Sequence, residues 1–195
     1  MVILLWFVLL SLHVVDPLFP PNAVAGGTVI AELHFAAGEV KNVGILSGEE
    51  PFVGSVRSAL AKWRLTPPQD GDELVVVRFC QPFVPSIGND GEEVNPAHPD
   101  SALPYPKFLI PPVYPANALG QGSVVLRTEI SSEGRVTKVD VVRSVGALTE
   151  PSMDAVRKWE FAAPEDDKGV KRSSHAYGVF VYELPILGIG VKPRK

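Results

Sequence analysis

The sequence predicts an α+β protein that consists of two tandem β-β-α-β domains, each a small antiparallel sheet with one packed helix. One observation behind this prediction is an internal repeat: residues 19–29 return 95 positions later as residues 114–124, and residues 38–68 return at an offset of 96. The other is a change of hydrophobic period inside each copy, from the alternation of a strand to the spacing of a helix. Because the chain repeats one pattern, its function should be readable from what the copies share.

Each copy opens with two strands. In the second copy, residues 124, 126, 128 and 130 alternate with their neighbours in the period of a strand that turns one face toward a core. Residues 29, 31, 33 and 35 do the same in the first copy. Short turns containing Gly38 or Gly134 lead into a second β-rich run, so each pair of strands is predicted to form a hairpin.

A helix and a last strand complete each copy. Apolar and small residues at helical spacing form one stripe per copy: Phe52, Val56, Ala59, Leu60 and Trp63, then Leu148, Ser152, Ala155, Val156 and Trp159. Each helix is predicted to stop before a proline, Pro67 or Pro164, and last strands are predicted at 74–79 and 177–184. Core packing is the expected role of Trp63 and Trp159, with a partner contact as the alternative, and Phe161 is also assigned to the core.

The chain is predicted to divide into five parts. Residues 1–15 form an apolar signal or anchor segment, 16–82 the first domain, 83–111 a linker, 112–185 the second domain and 186–195 a tail. The linker is rich in proline and is expected to be extended and largely irregular. Because it shares little apolar surface with either domain, the two domains are expected to fold independently.

The apolar start leaves three interpretations open. Residues 2–12 resemble the apolar region of a signal peptide, but no Lys or Arg precedes them. As a helix, residues 2–15 would reach about 21 Å, short of the roughly 30 Å hydrocarbon core of a bilayer. The sequence therefore favours an export signal, with a short membrane anchor or a buried segment as alternatives.

Composition excludes several classes of function. A formal net charge of −4 gives no basic face for a nucleic acid. The single cysteine, Cys80, excludes an intrachain disulfide framework and a multi-cysteine metal site, and it lies in an apolar run that favours a buried thiol. The four histidines are scattered, and neither a nucleophile elbow nor a phosphate-binding glycine loop is present. We therefore expect no enzyme, no catalytic residue, no metal site and no cofactor.

Four short motifs in the second copy carry a family resemblance. They are YPANA at 114–118, GSV at 122–124, GRV at 134–136 and RKWEF at 157–161. Their order and spacing resemble the C-terminal domain of TonB-family energy transducers, over roughly residues 112–184. The first copy is similar to a divergent member of the same family, with Phe19 in place of the tyrosine.

The resemblance implies a periplasmic protein, exported or anchored in the inner membrane, that takes part in energy-coupled transmembrane transport. Its partner would be a short "TonB box" peptide of an outer-membrane receptor, added as a strand to a sheet edge. ExbB and ExbD, the inner-membrane motor, and a second copy of the chain are further possible partners. The expected binding edge is the last strand of the second copy: Tyr177, Gly178, Val179, Phe180, Val181 and Tyr182.

Two residues at the start of the second copy have two interpretations. Tyr114 and Pro115 either fix how the chain enters the domain or border the peptide groove. The alternative function for the whole chain is a non-energised cell-envelope scaffold, or protein-interaction module, whose tandem domains bind envelope partners or one another.

Overall fold

The computed structural model describes residues 11–21, 23, 25–80, 91–94, 102–115, 118, 120–166 and 168–183. The fold is α+β, with two short helices among many strands. The elements of the first copy are β1 (Ser11–His13), β2 (Gly27–Ala36), β3 (Glu39–Ser47), α1 (Phe52–Leu60), β4 (Arg64–Thr66) and β5 (Gly71–Cys80). Then come β6 (Glu92–Glu93), β7 (Tyr105–Leu109), β8 (Gly122–Ile130), β9 (Val136–Arg143), a 3-10 turn (Gly146–Leu148), α2 (Thr149–Val156), β10 (Glu160–Ala162) and β11 (Ser174–Tyr182).

The two copies share one sheet. Its eight strands run in the order β1-β4-β3-β2-β5-β11-β8-β9, and β5 pairs in parallel with β11 at its centre. The expectation of two separate antiparallel sheets is therefore wrong. Each helix is also followed by a short strand, β4 or β10, that the predicted β-β-α-β unit does not contain. A three-stranded sheet, β10-β7-β6, continues from β9 through a single bridge between Arg135 and Glu160.

The central strands explain why the copies merge. Strands β5 and β11 are apolar on both faces, and a parallel pair of this kind is stable only when both faces are covered. Val75, Val77 and Phe79 pack in one core with helix α1, while Leu74 and Val76 pack in the other core with helix α2. Since successive side chains of a strand point to opposite faces, the two helices lie on opposite sides of the sheet.

Side chains of β11 also alternate between the two faces of the sheet, so each core contains residues of both copies. Tyr177, Val179 and Val181 join the core of α1, and Phe180 and Tyr182 join the core of α2. The copies therefore lack the separate cores on which the expectation of independent folding rests, because each helix packs on strands of both.

The predicted linker contributes to the fold. Within residues 83–111, strand β7 pairs with β10, and Tyr105 and Leu109 are buried. Glu92 of β6 contacts Thr28 at 3.2 Å and Arg78 at 3.3 Å. The prediction of an irregular linker is therefore wrong for these residues, because Leu109 of β7 packs in the core on the α2 face. Residues 83–90 and 95–101 lie outside the described residues.

The first domain begins earlier than the predicted boundary at residue 16. Strand β1 pairs with β4, and Leu12, Val14 and Val15 pack against the core of α1. The last five residues of the predicted signal or anchor segment therefore belong to the fold. Residues 1–10 and the predicted tail at 186–195 lie outside the described residues.

Matching hydrogen bonds show that the internal repeat is also a structural one. The indole Nε1 of Trp63 donates to the carbonyl of Val15 at 3.0 Å, and Trp159 donates to Ile110 at 2.9 Å. Both indoles are buried, with 0% and 1% of their surface exposed. The donors are 96 positions apart and the acceptors 95, the same offsets as in the sequence. The true repeat unit therefore includes the segment ahead of the first hairpin.

The hairpin turns match in the same way. Gly38 and Gly134 have φ angles of 76° and 82°, a left-handed region that favours glycine. The Gly38 carbonyl accepts a hydrogen bond from the Leu65 amide, and the Gly134 carbonyl accepts one from the Phe161 amide, both at 2.8 Å. Phe161 is buried beside Trp159, with ring centroids 6.3 Å apart.

Candidate functional site: the outer edge of strand β9

The predicted binding strand is not an edge. Residues 177–182 of β11 pair in parallel with residues 75–80 of β5 and antiparallel with β8 on the other side. The prediction of an open edge here is therefore wrong, because the first copy supplies the neighbouring strand. A receptor segment could pair with β11 only by displacing β5 or β8.

The side chains of this strand are also enclosed. Tyr177 packs edge-on against Trp63 with ring centroids 6.1 Å apart, and Phe180 packs against Trp159 at 5.5 Å. A Cβ atom on Gly178 would lie 3.2 Å from the Trp159 ring, so the glycine allows the indole to approach the strand. Val179 and Val181 are buried as well. These residues build the centre of the protein.

Tyr114 and Pro115 occupy positions that fit the way the chain enters the second copy. The ring of Tyr114 lies 5.7 Å from that of Tyr182, and burial is the main cause that raises the pKa of Tyr114. The carbonyl of Pro115 accepts a hydrogen bond from the Ala118 amide at 3.0 Å, as Pro20 does from Ala23 in the first copy. The shared turn favours the structural interpretation of the pair.

The hydroxyl of Tyr182 belongs to a small buried polar group. It lies 2.8 Å from Ser152 Oγ, which also contacts the carbonyl of Leu148 at 2.7 Å. Burial raises the pKa of Tyr182, and it raises the pKa of the neighbouring Cys80 thiol to about 12. The thiol is therefore protonated at neutral pH, and an unreactive buried cysteine follows.

The open edge of the second copy is the outer side of β9. Its inner side pairs with β8, and among the described residues only the bridge just before it, between Arg135 and Glu160, joins its outer side to another strand. An edge of this kind presents backbone N–H and C=O groups that can pair with an additional strand.

The first copy has an equivalent outer strand, β3, but helix α1 covers part of it. Arg57 Nη1 donates to the carbonyl of Val43 at 3.1 Å. At an offset of 96, the counterparts of these residues are Met153 and Val139. Methionine cannot donate a hydrogen bond to the strand, so β9 lacks the contact that occupies β3.

Apolar side chains lie along the α2 face of the β9 edge. Val139 and Met153 pack at the margin of the core, and Val141, opposite Leu126 on β8, is 43% exposed. Cross-strand neighbours share a face, so Val141 lies on the same side as Leu126. An added strand would meet an apolar surface on this face.

Charged side chains lie along the other face. Lys138 Nζ is 2.7 Å from Asp140 Oδ2 and 3.4 Å from Glu129 Oε1. Hydrogen bonds with Asp140 and Glu129 are the largest causes that raise the pKa of Lys138. At the end of the strand, Arg143 Nη1 is 2.7 Å from Asp16 Oδ1. Such charges blunt an edge against unspecific pairing.

The described part of the chain contains no group of three or more metal-ligating side chains placed to hold an ion. His34 lies 2.7 Å from Asp72, and His175 lies 2.8 Å from Glu73, so these two histidines belong to separate hydrogen-bonded pairs. His98 lies outside the described residues, and His13 lies in β1. None of the helices described here is long and apolar enough to span a bilayer.

Comparison with known families agrees with the motifs. Residues 110–184 match the family described as Gram-negative bacterial TonB protein C-terminal. No curated protein matches the chain. The predicted resemblance is confirmed for the second copy, which carries a TonB-type C-terminal domain. That family consists of non-enzymatic interaction domains that bind outer-membrane receptors, in proteins that are periplasmic or anchored in the inner membrane.

Proposed function

We propose that this chain is a periplasmic TonB-like protein that binds an extended segment of an outer-membrane receptor in energy-coupled transport. The segment adds as a strand to the outer side of β9. The observation that carries this proposal is an open edge inside the residues that match the family, 110–184. Strand addition needs such an edge, since its affinity comes from main-chain hydrogen bonds.

The geometry favours β9 over the other strands of the second copy. Strand β8 lies between β11 and β9, and β11 lies between β5 and β8. Opening the β5–β11 pair would expose apolar side chains of both cores, including Val179 of the α1 core and Phe180 of the α2 core. Pairing along β9 would break no strand contact of residues 137–142 beyond β8 within the part of the chain that the structure describes. Burial of apolar surface contributes about 25 cal/mol per Å², so the central pair is the costly one to open.

The chemistry of the edge suggests what the segment contains. Residues that alternate along the added strand would face Val139, Val141 and Met153 on one side and Lys138 and Asp140 on the other. A segment with apolar residues at every second position, and mixed polar residues between them, fits both faces.

Location and energy coupling are parts of the same proposal. A protein that binds receptors from inside the outer membrane must be exported, or anchored in the inner membrane with this domain in the periplasm. Coupling to the ExbB and ExbD motor would supply the energy for transport. The family match over residues 110–184 supports the receptor-facing location, and coupling to the motor is the further step of the proposal.

A non-energised envelope scaffold is the second candidate. It is favoured by the β5–β11 pairing, because the first copy fills the edge of the second instead of leaving it to a partner. In that function the chain would hold envelope proteins together through β9 without passing energy to a transporter.

The experiment is a titration of the full, isotopically labelled chain with short segments from TonB-dependent receptors of the same organism. Amides at residues 137–142 should shift and become protected from hydrogen exchange. The equivalent edge at residues 41–46 is the internal control and should change little, because Arg57 covers it in part. Binding with changes confined to other surfaces would overturn the β9 assignment, and no binding by any receptor segment would overturn the receptor function.

Energy coupling needs a separate measurement. Deleting the chromosomal gene should reduce uptake through the cognate receptor, and the defect should match that of a strain with a collapsed proton gradient. Normal uptake combined with loss of envelope integrity would favour the scaffold.

A further inference from the structure

We propose that the first copy holds a binding site for a free amphipathic carboxylate, a small molecule with an apolar chain and one anionic head group. The site is a surface groove of about 410 Å³ beside helix α1. One wall is the entry segment, residues 15–21, and the other is the side of α1 that carries Ser55 and Ser58. Lys62 lies at the groove just beyond the end of the helix. Small-molecule sites have volumes of about 300 to 1,000 Å³, so the groove is large enough for such a ligand.

The entry segment supplies the apolar part of the groove. Leu18 is 78% exposed, the largest exposed fraction among the large apolar side chains that the structure describes. Phe19, Pro20 and Pro21 continue this surface along the groove. Removing apolar surface from water is favourable, so an apolar ligand chain would be held along Leu18.

Contacts within the first copy fix the shape of the groove. The indole of Trp63 donates a hydrogen bond to the carbonyl of Val15 at 3.0 Å, and the hydroxyl of Ser55 donates one to the carbonyl of Leu18. Both bonds join the entry segment to helix α1 or its end. The groove is therefore formed without a ligand, and binding would order little of the chain.

The charges of the lining favour an anion. Among the described residues of the lining, Asp16 is the only acid and Lys62 the only base. The Asp16 carboxylate lies 2.7 Å from Arg143 Nη1, which neutralises it, whereas Lys62 is exposed. The full charge of Lys62 exceeds the negative end of the helix dipole, which is equivalent to about half a charge. A ligand carboxylate would therefore meet a net positive charge, and the Ser58 hydroxyl could donate a hydrogen bond to it.

The second copy differs at the positions that would hold the head group. Helix α2 and its end carry two negative and two positive charges there: Glu150, Asp154, Arg157 and Lys158. The counterparts, 96 positions earlier, carry a single positive charge: Gly54, Ser58, Ala61 and Lys62. The anion site is therefore expected in the first copy alone. It does not depend on the proposed receptor function, because the groove is lined by the first copy.

Octanoate is the probe, titrated into the full, isotopically labelled chain. Amides of residues 16–19 and 55–62 should shift until they saturate, whereas those of residues 151–158 should not. Octanol has the same chain length without the charge. It should bind the same amides about two- to fivefold more weakly, which is the contribution of an exposed charge pair.

Matched variants separate the two parts of the site. Lys62→Gln should weaken octanoate binding by about two- to fivefold and leave octanol binding unchanged, and the equivalent Lys158→Gln should change neither. Leu18→Ser should weaken the binding of both probes by about tenfold, and the equivalent Val113→Ser should not. All four side chains are exposed, so thermal unfolding of the variants should match that of the wild type.

Three outcomes would overturn the proposal. Amides of residues 16–19 and 55–62 that do not shift would remove the site, as would shifts spread evenly over both copies. Equal weakening by Lys62→Gln and Lys158→Gln, or by Leu18→Ser and Val113→Ser, would contradict the assignment to the first copy. Equal affinity for octanoate and octanol would overturn the carboxylate. None of these outcomes bears on the receptor titration, which is read at residues 137–142.

Discussion

Helices α1 and α2 occupy equivalent places in the two copies, but they make different contacts with the outer strand beside them, β3 or β9. Arg57 of α1 donates a hydrogen bond to a carbonyl of β3, whereas its counterpart on α2 is Met153, which has no group that could donate one. In the cores, by contrast, the copies are alike: the indoles of Trp63 and Trp159 donate equivalent hydrogen bonds to backbone carbonyls. Exchange of one helix side chain therefore decides whether the neighbouring edge strand has a carbonyl occupied by the helix.

The largest expected effect concerns the centre of the eight-stranded sheet, where each copy contributes one strand, β5 or β11. Val77 and Val179 lie opposite each other in the parallel β5–β11 pair, and each strand is paired on both sides. Proline at either position removes a backbone donor that is bonded to one neighbour or the other. Val77→Pro and Val179→Pro should both abolish cooperative thermal unfolding.

The control for this pair is Val113→Pro, between β7 and β8, where the Val113 side chain is 63% exposed; this variant should keep a cooperative transition. A folded Val179→Pro variant that has lost only receptor binding would instead restore β11 as the binding edge. It would contradict the shared central sheet.

A second effect measures how equivalent the two cores are. Trp63→Ala and Trp159→Ala each remove a fully buried indole and a hydrogen bond to a chain segment, so each should lower the free energy of unfolding by about 3 to 5 kcal/mol. Chemical denaturation of both variants provides the comparison. Substitutions of this kind vary by about 2 kcal/mol among equivalent sites. A larger difference between the two variants would show that the cores are not equivalent.

A smaller effect concerns the pH dependence of stability, through Cys80 at the end of β5. Burial raises the pKa of Cys80 to about 12, from an ordinary value of 9.0. The unfolded chain therefore releases this proton at lower pH than the folded chain does, so stability is complete below pH 9 and declines as pH rises toward 12. The free energy of unfolding should fall by about 1 kcal/mol between pH 9 and pH 10 from this group alone.

The matched variant is Cys80→Ala, which should be less stable at pH 7 but should lose less stability over that interval. Denaturation at both pH values measures the difference. Equal losses in the variant and the wild type would show that Cys80 does not govern the alkaline decline.

Much of the fold could be predicted from the sequence, because local signals determine it. The alternation in β2 and β8, the glycines of both hairpins and the helical stripes each reflect neighbours within one copy. Their offsets also predicted the internal repeat. The sequence signal for the second copy was strong enough to indicate its family.

The arrangement of the copies could not be predicted in the same way. The apolar runs of β5 and β11 show that both faces are buried, but not that these strands pair with each other, because that contact joins residues about 100 positions apart. Strand β7 contains Pro106 and few residues, so its pattern was too short to distinguish from a linker.

The prediction of the binding edge was wrong for a related reason. Within a single copy the last strand lies at an edge of the sheet, but the strand that covers it in the protein, β5, belongs to the other copy. A signal for β9 was present, since the repeat aligns Arg57 with Met153. Its meaning required the contact between Arg57 and the Val43 carbonyl, which sequence spacing does not reveal.

The most direct test exchanges the two side chains that distinguish the edges. In the double variant Arg57→Met and Met153→Arg, the new arginine on α2 should cover the carbonyl of Val139, while β3 loses its covering contact. Titration of this labelled variant with a receptor segment that binds the wild type should therefore move amide shifts from residues 137–142 to residues 41–46. Shifts that remain at residues 137–142 with unchanged affinity would contradict the claim that this exchange opens the edge of the second copy.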